Sequence, residues 1–467
     1  IGYEVMSVND ASGDANVVIG DNAGKNMTSG GANVLLGRLA GGGGNLTGGY
    51  NVAIGNQAAQ NITSMGSSVF LGLYAGHNLT VGNRNIAIGP YSLFTSTANS
   101  IENNIAIGNS ALRAGNVSGD RNIGLGTSTL YDLTSGTDNI AVGVTAAYNL
   151  TTGVGNIAIG SGSMALAAVT AHDNIAIGNR AMEDVTSGGG NIAIGSGSAA
   201  NITTNIKNIA IGESAFAGSI NDGDTNIAIG YQAIKTGDVS GDNNTGVGSQ
   251  TLKNLTSGQS NLAIGSGSMG LGTVTGNDNV AVGNFALEDI TSGGNNIALG
   301  SGSLASATDN IGNVAIGFEA LKTSANDGDR NIAIGYQTIK TGDVSGTDNI
   351  AIGTNALDDL TSGADNVAIG AGTGLNLTTA ANTIAIGHDA IGLGITTGTN
   401  NTAIGQDSGK ALTAGLENIF IGSMAGTAAT DNENNIAIGH DAFAASANDG
   451  DNNIAIGLSA MKTGDVS

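Results

Sequence analysis

The amino-acid sequence predicts a parallel β-solenoid made of one repeated unit, and three observations predict it. The first is a five-residue core, Asn-Ile-Ala-Ile-Gly, as at residues 104–108 and 453–457, which recurs in twenty-six copies. The second is its spacing. The closing glycines, from Gly20 and Gly37 to Gly457, follow one another at 17 or 18 residues, with one step of 19 between Gly89 and Gly108. The third is composition: 79 of 467 residues are glycine, one is proline (Pro90), none is tryptophan or cysteine, and aromatics make up 3%. Several ordinary cores would need more aromatic bulk. Collagen would need glycine at every third position with abundant proline. At 40% hydrophobic residues the chain is also too apolar for a disordered tract. A short unit that buries its apolar face by stacking on copies of itself meets all three observations.

Each slot of the core carries its own constraint. Within Ile-Ala-Ile the outer residues share one face of an extended segment and the middle residue takes the other. The first slot is aliphatic except at Thr245 and Thr402, and the third is aliphatic throughout. The middle slot is Ala or Gly in twenty-two copies; Val18, Leu35, Phe70 and Phe420 are the exceptions. A small-residue rule implies crowding, so both faces of the strand are expected to be covered, one by the chain's own coil and the other by something else. The glycine implies a positive φ or a close backbone approach. The leading Asn, replaced only by Ser68 and Thr383, suits an amide ladder between coils.

The second half of the unit reads Ala-Leu-x-x-Leu-Thr-x-Gly, as in residues 356–361 and, with substitutions, 181–186. Apolar residues at i, i+1 and i+4 favour a single helical turn over a distorted second strand, and Ser/Thr/Gly clusters return the chain to the next Asn. The expectation is an all-β solenoid of about twenty-six coils, each with one short strand plus a turn or one helical turn. At 4.7–4.9 Å per coil the rod would be about 125 Å long. The series is unbroken, so residues 1–467 read as one continuous repeat array. Both ends fall inside a unit, as expected of a piece cut from a longer fibre. A longer period accompanies the short one: Asn-Asp-Gly-Asp at residues 221–224 recurs at 326–329 and 448–451.

The Asn-x-Ala-Ile-Gly core in glycine-spaced coils resembles the head repeats of trimeric autotransporter adhesins (YadA-like heads). The 17-residue variant with Ala-Leu after Ile-Gly is more similar to repeats of phage tail fibres. The resemblance spans the whole chain. It departs from autotransporter heads in its longer unit with a single strand, and no membrane anchor or chaperone domain accompanies it. What it implies is a homotrimer of parallel β-rolls with an attachment role.

Charge narrows the partners. Fourteen Lys+Arg against 37 Asp+Glu give a net of −23, a surface that repels phosphate backbones. No run of eighteen apolar residues is present, so no helical membrane span is expected. Candidate chemistry is thin. His388-Asp389 and His440-Asp441 occupy a slot that Asn179-Arg180 fills elsewhere, which marks solvated turns, and His77 and His172 form no pattern with them. The pairs Glu183-Asp184 and Asp358-Asp359 read as solubilising charge. Asp224 and Asp242 precede their unit glycines by six residues and could stack into an oxygen-rich calcium turn, but Thr347 interrupts that column and the spacing is not that of calcium nonapeptides. The sequons at Asn26, Asn149 and Asn254 recur in phase with the repeat, as structural positions would.

No catalytic, cofactor-binding or metal residue is therefore assigned, no cofactor is expected, and no enzyme is expected. The leading expectation is a structural shaft of an extracellular trimeric attachment fibre, such as a phage tail fibre. Its partners would be copies of itself and a cell-surface receptor, with a glycan among the candidates; nucleic acid and membrane insertion are not expected. A bacterial surface adhesin head or stalk is the alternative, and an ice- or mineral-binding solenoid the second alternative. The expected location is a virion surface or a bacterial cell surface.

Overall fold

The structure, a computed structural model, describes residues 1–467 except 6–11, 95–99, 114–116, 167–168, 219–221, 236–237, 323–327, 342–343, 445–449 and 463–467. The first residue of the 221–224 motif and the first two of its copies at 326–329 and 448–451 therefore lie outside the described residues, as does the tail 463–467. The chain divides into two compact units, Ile1–Gln232 and Ala233–Ser467. Each is an all-β parallel solenoid. In the first, thirteen three-residue strands from Val17–Ile19 to Ile227–Ile229 join in one parallel sheet; in the second, thirteen run from Thr245–Val247 to Ile454–Ile456. The first unit also pairs Val81–Asn83 with Ser100–Glu102, beside the 19-residue step.

Successive strands align slot on slot. Ile157, Ala158 and Ile159 sit opposite Ile175, Ala176 and Ile177, and the same register repeats from coil to coil. Each unit glycine explains why. All twenty-six have φ between +125° and +145°, a region open to glycine and costly for any side chain. They are also crowded: a Cβ built on Gly212 would lie 2.5 Å from the carbonyl oxygen of Gly230 in the next coil. Both reasons offered by the sequence therefore act together.

The helical turn expected after the strand is absent, and no helix occurs among the described residues. Two successive β-turns take its place. In the coil of Gly353, the Ala356 N–H donates to the Gly353 carbonyl at 3.4 Å and the Leu360 N–H to the Leu357 carbonyl at 3.2 Å. Asn355 and Leu357 adopt φ of 53° and 52°, which breaks any helical path. Their neighbours bond across coils instead: Leu357 N–H to Thr373 carbonyl at 3.0 Å, Asp359 to Leu375 at 3.0 Å, and Thr361 to Thr378 at 2.9 Å. A left-handed non-glycine residue costs roughly 1–2 kcal/mol, and the continuous inter-coil bonding offsets it. The i, i+1, i+4 apolar pattern arises because two tight turns bring Ala356, Leu357 and Leu360 to the same interior.

That interior is narrow. The middle strand residue points inward and is fully buried, as at Ala351, together with Ala356, Leu357 and Leu360 of the same coil. The four exceptions to the small middle slot are each compensated four residues after their unit glycine, where most coils carry a larger apolar residue. Val18, Leu35, Phe70 and Phe420 are matched by Gly24, Gly41, Gly76 and Gly426. A Cβ on Gly76 would meet the Phe70 ring at 2.2 Å, and one on Gly426 would meet the Phe420 ring at 2.6 Å. Elsewhere the filling is shared between coils: Gly374 and Gly409 accompany Ala368 and Ala403, and Leu357 and Phe420 of adjacent coils take up the space.

A buried polar ladder runs beside this core. Asn156 is fully buried. Its backbone N–H and Nδ2 both donate to Asn139 Oδ1, at 3.0 and 3.1 Å, and Nδ2 also donates to the Ala171 carbonyl at 2.7 Å. Its own Oδ1 accepts the same pair from Asn174. Ser68 keeps the backbone link, accepting from the Asn85 N–H at 3.1 Å. At Thr383 the hydroxyl turns to the Ala381 carbonyl. The expected amide ladder is thus present, with the amides buried except at its ends, where Asn16 and Asn453 are half-buried.

Candidate interaction surface

The polar residues that looked most like chemistry have structural partners. His388 and His440 stand 64% and 55% exposed, beside Asp389 and Asp441 at 3.5 and 3.3 Å. His172 Nδ1 accepts the Val154 N–H at 3.0 Å. Asp224 Oδ1 accepts the Ile206 N–H at 2.8 Å, and Asp120, Asp329 and Asp451 do the same for Glu102, Ile311 and Glu433. Each of these four capping carboxylates belongs to a coil of 18 residues and gives a backbone N–H of the preceding coil an acceptor. That is what the acidic turns do here. Among the described residues, no three His, Cys, Asp or Glu side chains are grouped to hold a metal ion.

The remaining candidates are likewise placed by stacking. Glu183 pairs with Arg180 at 2.8 Å. Asp358 accepts from the Lys340 N–H at 3.3 Å, and burial first, then the neighbouring Asp359, pushes its carboxyl upward. Glu319 moves the other way. Hydrogen bonds from Gln337, Lys340 and Lys322 hold it at about 2. At the sequons, the Asn149 amide donates to the Ala165 and Leu166 carbonyls of the next coil at 2.8 and 2.9 Å, while Leu150 is buried. The threonines after the Leu slot form one column whose hydroxyls donate to the next coil, Thr134 to Thr151 and Thr361 to Thr378, both at 3.0 Å.

Two surfaces lack such an account. The first is the outer side of the strand. The large residues flanking the buried Ala form two parallel columns that stay partly exposed, with Ile159 at 37% and Ile297 at 38%. Stacking covers their edges but not their outward faces. The expectation that both strand faces would be covered thus holds for the Ala face alone within one chain.

The second surface is a strip in the first unit that the sequence reading did not single out. Counting from each unit glycine brings it out: Tyr74 and Tyr91 lie two residues on, and His77, Phe94, Arg113, Tyr131 and Tyr148 five residues on. These side chains occupy five successive coils and are all half-buried. Tyr74 and Tyr91 stack at 5.2 Å between centroids, His77 and Phe94 at 5.3 Å, and Tyr131 and Tyr148 at 4.8 Å. Arg113 lies over the Tyr91 ring, 4.6 Å from its centroid. Amides border the strip: His77 Nε2 meets Gln60 Oε1 at 2.8 Å and Nδ1 meets Asn78 Oδ1 at 2.7 Å. Beyond Tyr148 a shallow cavity of about 300 Å³ is lined by Thr145, Tyr148, Asn149, Ala165 and Leu166.

No protein-family model matches the chain, and no curated protein matches it either. The functional reading accordingly rests on the two surfaces themselves.

Proposed function

We propose that this chain is a structural shaft segment of an extracellular attachment fibre, assembled as a homotrimer through the two aliphatic columns of its strands, with a phage tail fibre as the setting that best fits the repeat. One observation carries the reading: the half-exposed Ile pairs beside a fully buried Ala in coil after coil. Thirteen coils with two such side chains each present an apolar band on the order of a thousand Å² per unit, against the few hundred Å² usual on a monomer. Identical bands packed around a common axis bury one another without needing a second protein. The acidic side chains then remain outside and keep the assembly soluble. In this role the chain holds receptor-binding surfaces at a distance and in several copies, so that weak contacts add up, and it performs no catalysis.

Sedimentation equilibrium tests the assembly. The chain of 45.5 kDa is expected to sediment at about 137 kDa, three times its own mass. Ile105→Asp combined with Ile107→Asp places two carboxylates in the shared band and is expected to shift the population toward monomer. A wild-type chain that stays soluble and monomeric would remove the basis for the fibre.

A further inference from the structure

The geometry points to a binding track for a linear, neutral oligosaccharide along the strip Tyr74, His77, Tyr91, Phe94, Tyr131 and Tyr148, ending in the cavity beside Tyr148. This inference rests on the attachment reading above, to which it adds the class of receptor and its place on the chain.

The fold does not call for these aromatics. The same two columns hold Gly162 and Ala165, Gly197 and Ala200, or Gly302 and Ala305 in other coils, and those coils close with the same turns. The core draws on other rings, since Phe70, Phe216, Phe420 and Phe443 are buried. In a chain with only eight tyrosines and seven phenylalanines, five of them share this strip. Tyrosine offers rigid contact area at low entropic cost together with a hydroxyl that bonds outward.

The arrangement also restricts the ligand. Contacts repeat once per coil, at about 4.8 Å, so the partner must itself be an extended chain whose unit is about one sugar ring long. The rings are not all parallel: Tyr74 and Phe94 meet at 87°, and Tyr91 and Phe94 at 69°. Along each column the rings stack on one another, and the edge-to-face contacts fall between the two columns, so the strip presents ring edges and hydroxyls outward, beside the amides of Gln57 and Gln60. A sugar chain offers the matching sequence of C–H patches and hydroxyls. A polyanion is disfavoured by the net charge of −23, and Arg113, engaged over Tyr91, is the strip's one cation. The cavity of about 300 Å³ is at the lower end of what small-ligand pockets enclose. Its Asn149 amide is held by two carbonyl bonds, so its oxygen faces a defined direction.

The test is titration of the whole chain with short linear malto-, cello- and chito-oligosaccharides, followed by calorimetry or saturation-transfer NMR, with a heparin fragment as the anionic comparison. At least one neutral series is expected to bind. Tyr74→Ala with Tyr91→Ala, and Tyr131→Ala with Tyr148→Ala, should each weaken it by about tenfold or more. Phe318→Ala with Tyr336→Ala, which removes a stacked pair in the second unit, should leave it unchanged. Should an alanine pair fail to fold by circular dichroism, Tyr131→Phe with Tyr148→Phe keeps the rings and is expected to lose a smaller factor through the hydroxyls. The inference is overturned if the folded wild type binds no neutral oligosaccharide, if it binds the heparin fragment alone, or if the Phe318/Tyr336 pair weakens binding as much as the strip variants. Sedimentation of the same samples separates the two readings: an intact trimer without sugar binding sinks the track, and a monomer that still binds sugar sinks the fibre.

Discussion

At Ala158 the strand Ile157–Ile159 points into a coil with no spare room, whereas Ile157 and Ile159 on its other side stand partly in solvent. The inward slot changes only with compensation, as Phe70 with Gly76 and Phe420 with Gly426 demonstrate. The outward slots stay aliphatic in almost every copy although, among the described residues, their outward faces remain partly exposed. An intrachain packing rule thus accounts for one side of the strand, and on the other side the proposed assembly would supply the rule. The columns two and five residues past each glycine obey neither rule. They carry Gly, Ala, Lys, Asp or Tyr in different coils, and it is there that local specialisation such as the aromatic strip has room to arise.

The inner rule breaks hardest at the glycines. Gly212→Val adds a branched side chain at φ +130° and 2.5 Å from the next carbonyl. Strain and overpacking together should cost roughly 2–6 kcal/mol, read as a lowered thermal midpoint or an early proteolytic cut near residue 212. A valine tolerated there without loss would mean that the coils are not stacked this tightly.

Compensation inside the coil gives a sharper, smaller effect. Phe420→Ala should cost roughly 3–5 kcal/mol through the cavity it leaves. Adding Gly426→Leu, the commonest residue at that offset, is expected to recover a substantial part, because the pair then restores an Ala–Leu filling found in other coils. Denaturant midpoints of the single and double variants measure it. If the second substitution only adds to the damage, the matching of Phe with Gly is coincidental.

The outer columns should yield the mildest response, and it depends on pH. The folded-state pKa of Glu319 is depressed from 4.5 to about 2, chiefly by hydrogen bonds from Gln337, Lys340 and Lys322. Its contribution is complete above the unfolded value and is lost as pH falls from about 4.5 toward 2. The carboxyls of Glu288 and Asp358, raised chiefly by burial, act in the opposite sense, since their protonation relieves a cost. Thermal midpoints across this window should fall for the wild type and fall less for Glu319→Gln; identical slopes would show that this ion-pair group contributes nothing.

Much of this architecture was legible in the sequence because its signals are periodic. The strand, the glycine and the Asn ladder each repeat at one slot, so twenty-six copies amplify a weak local preference. The turn after the strand was misread for a physical reason: Ala356, Leu357 and Leu360 have helical spacing, but Asn355 and Leu357 take left-handed conformations paid for by bonds to the next coil, which no local pattern reveals. The role of Asp224 was hidden in the same way. Its partner is the Ile206 N–H, eighteen residues away in sequence, which only the stacking of coils brings into reach. The aromatic strip was present in the numbering but spread over coils of 17 to 19 residues, so it emerges only when each coil is counted from its own glycine.

The central claim is that copies of this chain meet through the aliphatic side of the strand, and the absence of cysteine allows it to be tested directly. Ile159→Cys puts a single thiol in the aliphatic band, and Thr170→Cys puts one in the exposed threonine column. Treated with a short bifunctional thiol reagent at low protein concentration, the Ile159→Cys chain is expected to give covalently joined pairs in high yield and the Thr170→Cys chain few. Joined pairs from Thr170→Cys alone, or from neither variant, would contradict assembly through the strand face.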